Sequence, residues 1–131
     1  MKRLYTFFMA AALYLSSNAA TPINVVNGIS QELAVSRAAI VGNITYNLTF
    51  NIPASKTEAV KGNATITFIY KGGKTDLQLD FQGAPSQFDG LCVVNGKQIA
   101  VAWQDEHILI PRKSLRRGKN IISMSFICGD K

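Results

Sequence analysis

Few residues in this chain could do acid–base or metal chemistry, and their spacing does not bring them together. The only histidine is His107, in the run Asp105-Glu106-His107. Three adjacent ligand types suggest a metal centre, but successive side chains on a strand point to opposite faces and do not converge on one ion. The run reads as a polar turn leading into a strand. A serine or cysteine triad would need the same histidine as base, held by a carboxylate and facing a nucleophile. No G-x-S-x-G elbow accompanies it, and no phosphate loop or dinucleotide fingerprint occurs. Asp76 and Asp80 flank Leu77 and Leu79 on one strand, where a pair of carboxylates could serve glycoside hydrolysis. Charged residues on a solvated strand face are the ordinary explanation. The expected sets of catalytic, metal and cofactor-binding residues are therefore empty.

Two other groups remain. Arg112, Lys113, Arg116, Arg117 and Lys119 form a basic cluster near the C-terminus. It is a candidate interaction surface for acidic glycans, lipid headgroups or a neighbouring domain, and otherwise a solvated turn. No aromatic residues interleave with it, so no nucleic-acid partner is expected. Cys92 and Cys128 are the only cysteines. A disulfide between them is chemically permissible in an exported protein, and two separate buried thiols are the alternative. Asn43-Ile44-Thr45, Asn47-Leu48-Thr49 and Asn63-Ala64-Thr65 match the N-glycosylation sequon, and they read as outward strand residues.

The elements that would carry these residues are mostly strands. In Ile44–Pro53, Ile44, Tyr46, Leu48, Phe50 and Ile52 alternate with Thr45, Asn47, Thr49 and Asn51. That rhythm gives one apolar and one polar face, so the five apolar residues are expected to point inward. Inward positions follow at Ala64, Ile66, Phe68 and Tyr70, then at Leu77, Leu79 and Phe81. Further ones are Ile99, Val101 and Trp103, and finally Ile122, Met124, Phe126 and Cys128. Asn95-Gly96 predicts a tight hairpin within Leu91–Trp103. A short strand over His107–Ile110 ends at Pro111. Before all of these, Ser30 can cap a short helix running to about Ile40, with Ile29, Leu33 and Ile40 sharing one side. The prediction is an all-β antiparallel sandwich of about seven strands with a short N-terminal helix.

The chain start predicts export. Lys2 and Arg3 precede an uncharged apolar run over Leu4–Leu15, and Ser17 and Ala19 suit cleavage after Ala19. Residues 1–19 are thus expected to be a signal peptide, 20–27 a leader and 28–131 the sandwich domain. The run is too short for the roughly 20 residues of a membrane span, so no span is expected after cleavage. The expected localisation is periplasmic or extracellular. Cleavage leaves 12 basic against 8 acidic side chains, a net charge of +4. That mild charge favours solubility and acidic partners.

The order of features resembles a known family. A helix GISQELAVSRAAI leads into ITYNLTFNIP, followed by KGNATITFIY, DLQLDF, VVNGKQI, HILIP and LRRGKNIISMSF. This series is similar to the N-terminal domain of the aminopeptidase N-like zinc metallopeptidases, the M-one family of gluzincins, over about residues 28–130. The resemblance implies a β-sandwich or saddle that packs on a thermolysin-like catalytic domain. The family's zinc site uses H-E-x-x-H plus a later Glu, and a G-x-M-E-N loop holds the substrate amine; none of these is in this chain. Zinc would belong only to the absent catalytic domain, and no catalytic residue carries over. Family members continue with further strands beyond the Phe126 region, so an incomplete domain is expected.

The expected function is a non-catalytic exported scaffold or docking domain, with a peptidase catalytic domain as its candidate partner. Alternatives are a stand-alone secreted glycan- or protein-binding module using Gln82–Gly90 or the basic turn, and a subunit joined through an unpaired edge strand. Oligomeric state is not determined by the sequence.

Overall fold

A computed structural model of the chain describes residues 24–129. The expected signal peptide, and the leader up to Ile23, lie outside the described residues. The helix α1 spans Gln31–Ile40, and its N-cap Ser30 accepts a hydrogen bond from the Leu33 amide at 3.1 Å. Leu33 is buried, whereas Ile29, expected beside it, is exposed. The helix runs directly into β1 (Val41–Asn51).

Seven more strands follow: β2 (Val60–Tyr70), β3 (Leu77–Asp80), β4 (Leu91–Val94), β5 (Lys97–Ala100), β6 (Ala102–Gln104), β7 (His107–Ile110) and β8 (Gly118–Cys128). They form two antiparallel sheets, one of order β1-β2-β8-β4-β5 and one of order β3-β7-β6. The all-β sandwich holds, with eight strands rather than seven. The extra strand arises because the expected single strand through Ile99, Val101 and Trp103 switches sheets. β5 pairs with β4, the Val101 amide bonds the Gly90 carbonyl at 2.9 Å, and β6 then pairs with β7. The Asn95-Gly96 hairpin forms as expected, with both residues at positive φ (52° and 84°).

The core lies between β2, β8 and β4 on one side and β3 and β7 on the other. Ile66, Phe68, Tyr70, Leu77, Cys92, Val94, Ile108, Ile110 and Ile122 form it, with Phe88 closing one end. Burying each large apolar side chain is worth about 1.5–3 kcal/mol against leaving it in water. The second sheet is two strands narrower. At about 4.8 Å between strands, it leaves part of the first sheet without a facing layer, and the uncovered part is β1.

Candidate functional site

β1 overturns the strongest expectation from the sequence. Its register with β2 places Tyr46, Leu48 and Phe50 beside Ile66, Ala64 and Gly62, so all three do share the inner face. Yet Tyr46 is 60% exposed, Leu48 51%, Phe50 49% and Ile52 76%, because no strand lies above them. Alternation dictates which side chains share a face, but not whether another layer covers that face. A cleft of about 230 Å³ opens at the gap, walled by Ile44 and Tyr46 of β1, Ile66 and Phe68 of β2, Leu77–Asp80 of β3, and Arg37 and Ala38 of α1. Farther along β1, Phe50 meets the Phe126 ring edge-on at 6.2 Å, and Phe126 continues to Phe81 at 6.0 Å. Phe126 reaches across Gly62, where an added Cβ would stand 2.5 Å from the ring.

Beside this cleft the structure assembles a polar cluster that the sequence does not disclose. Arg37 Nη1 donates to Asp80 Oδ1 at 2.7 Å and to the Gln78 carbonyl at 3.3 Å. His107, which opens β7 as expected, is 1% exposed, and its Nε2 lies 3.2 Å from the same Asp80 oxygen. Its Nδ1 lies 2.7 Å from the Asp105 carbonyl oxygen. The Nδ1 contact is a hydrogen bond, whereas buried Nε2 lies near the Asp80 oxygen without making one. Asp80 is not a solvated partner for Asp76. It ties α1 and β7 to β3, while Asp76 Oδ1 accepts from the Arg112 amide at 2.8 Å. Arg37→Ala is expected to lower stability by about 1 kcal/mol, the scale of a partly exposed charged hydrogen bond; urea unfolding measures it.

The five basic residues of the predicted surface are all exposed, and the fold adds three to them. Tyr70 pairs with Gly118, which sets Lys71 and Lys74 beside the β7–β8 connection, where the Arg117 guanidinium lies 3.0 Å from a Cβ built on Gly72. Asn95 bonds Ser114 and Asn120, which brings Lys97 to the same end. Eight of the eleven described basic side chains thus stand at one end of the sandwich, with Asp76 the only one of the seven described acidic side chains there. Asn120, fully buried, organises this end. Its Oδ1 accepts from Asn95 Nδ2 and the Arg116 amide, and its Nδ2 donates to the Arg116 and Gly118 carbonyls. No motif in the sequence distinguishes this asparagine from any other turn residue.

The candidate disulfide does not form, and both thiols are free. Val93 pairs with Ser123, so Cys92 faces Met124 and stands four residues from Cys128 along β8. Four residues of strand span about 13 Å, beyond the roughly 7 Å limit between bridged Cα atoms. Burial first, and the Asp89 charge second, push the Cys92 thiol up to about 11. An unfolded chain releases this proton near 8.5. The stability from the raised value is therefore complete below that pH and is lost as pH rises through the folded value. Denaturation midpoints should fall over this alkaline window in wild type and fall less in Cys92→Val. At neutral pH, iodoacetamide should add one group to the native chain, at half-buried Cys128, and two after denaturation; mass spectrometry counts them.

Among the described residues, no helix is long and apolar enough to cross a membrane. No group of three His, Cys, Asp or Glu among them could hold a metal ion. Comparison with protein-family models, with curated proteins and with solved structures finds no match to this chain.

Proposed function

We propose that this chain is a non-catalytic docking domain whose working surface is the uncovered inner face of β1. The supporting observation is the row of Tyr46, Leu48, Phe50 and Ile52, each about half exposed or more. Side chains of this size left in water on a sheet face mark an interaction surface. The resemblance to the aminopeptidase N-terminal domain makes a peptidase catalytic domain the first candidate partner. The DNA downstream of Lys131 tests that partner: an in-frame H-E-x-x-H within a few hundred codons supports it, and a stop codon with no such frame nearby removes it. Zinc-dependent release of N-terminal amino acids by the purified chain alone would overturn the non-catalytic assignment.

The segregation of charge favours a second reading, an exported module that seats its basic end on an anionic glycan. Long-range attraction to such a ligand falls steeply with salt. Binding to a heparin column should weaken in the pair Arg116→Ala and Arg117→Ala, and elution should move to lower salt. Unchanged elution would discard this reading.

A further inference from the structure

The outer edge of β1 is a separate surface from its face. β1 pairs only with β2, so one of its edges has no neighbour among the described strands. The direction of its main chain follows from the ladder. The Asn95 amide bonds the Ile121 carbonyl, so odd residues of β8 turn toward β4 and even ones toward β2. Carried through the β8–β2 and β2–β1 registers, this alternation aims the N–H and C=O groups of Tyr46, Leu48 and Phe50 at the open edge.

Natural edges are guarded by charge, proline, bulges or brevity. The other edges here follow that rule: β5 has four residues and begins with Lys97, β6 has three, and Arg37 bonds the Gln78 carbonyl of β3. β1 has no charged residue and no proline between Asn43 and Ile52. Its bulge falls between Gly42 and Thr45, and the ladder then runs without interruption from Thr45 to Asn51. The midpoint of that run is Leu48.

About this midpoint the strand reads alike in both directions. Tyr46 mirrors Phe50, Asn47 mirrors Thr49, Thr45 mirrors Asn51, and beyond them Ile44 mirrors Ile52. A dyad-related contact requires this kind of self-complementarity. We propose that β1 pairs antiparallel with β1 of a second copy of this chain, about a two-fold axis at Leu48. Leu48 then meets its own copy, each Tyr46 meets a Phe50, and every polar residue meets a polar one; such aromatic and apolar cross-strand pairs are favourable. Pairing through one strand edge covers less than the roughly 800 Å² per partner of a standard interface, so a weak, concentration-dependent dimer is expected. This pairing uses the edge and leaves the face open, so it does not rest on the docking reading.

Light scattering and sedimentation of the purified chain should show a dimer at high micromolar concentration and a monomer on dilution. Leu48→Lys should remain monomeric across that range, because it sets two like charges opposite each other at the axis. In a Cys128→Ser background, Leu48→Cys should oxidise to a covalent dimer with itself. Tyr46→Cys should not link to itself, and mixed with Phe50→Cys it should form the crossed dimer. A monomer at every concentration overturns the proposal, as does a dimer in which Leu48→Cys stays unlinked or Tyr46→Cys links alone. A monomer leaves the docking reading standing, and a missing peptidase frame leaves the pairing standing.

Discussion

Replacing Asn120 by alanine is expected to cost roughly 3–4 kcal/mol, because buried donors and acceptors left without partners cost about 1–3 kcal/mol each. The side chain makes bonds of 2.9 and 3.0 Å to its oxygen and of 2.6 and 2.9 Å from its nitrogen. Water cannot replace all of these, since the residue is 0% exposed. Asn120→Asp should fare no better. It keeps the two acceptor contacts but sets a carboxylate oxygen against the Arg116 and Gly118 carbonyls. Urea unfolding gives the loss directly. A second consequence is local: Arg112–Lys119 loses its shape, so heparin affinity should fall in Asn120→Ala even at temperatures where the sheets remain folded. A change below about 1 kcal/mol would show that this end is not organised as described.

The second large effect is a contrast between two aliphatic residues. Ile122→Ala should lose about 3–4 kcal/mol, in the range for a large aliphatic residue cut back in a packed core. Ile122 is 0% exposed in β8, in one buried cluster with Ile108 and Ile110 of β7, and it pairs with both Ile66 and Val94. Leu48→Ala, at 51% exposure and with no strand above it, should cost under about 1 kcal/mol in the monomer. From the sequence alone the two residues rank together, each a large aliphatic at an inward position of an alternating strand. Equal losses would mean that something covers β1 in solution. The measurement is therefore made below the concentration at which the chain pairs.

That contrast marks how far the sequence was legible. Periodicity places Ala64, Ile66, Phe68 and Tyr70 inward, and they are buried. Ser30 caps its helix, and Asn95-Gly96 turns its hairpin; both are local chemistry readable within a few residues. What was not legible depends on partners distant in sequence. Coverage of β1 depends on the width of the opposite sheet. Gln78, at a position expected to face solvent, is buried. The break at Val101 is set by a carbonyl on Gly90. Arg37, Asp80 and His107 converge across 43 and 27 residues of chain, and no pattern links them beforehand. The cysteines failed for the reverse reason: both lie in strands as expected, but the register holds them apart.

The alignment of the strands with the charge gives the molecule an orientation. β1 starts at the basic end, where Val41 pairs with Tyr70, and runs the length of the sandwich away from it. A protein with such a permanent electric dipole approaches a negatively charged layer with its basic end first. Seated that way, it stands upright like a post, with β1 reaching outward along the normal and its edge accessible from the side. Because two β1 strands would meet head to tail, their basic ends would point in opposite directions. Such a pair cannot grip one layer twice and gain avidity there; it can only tether two layers facing one another.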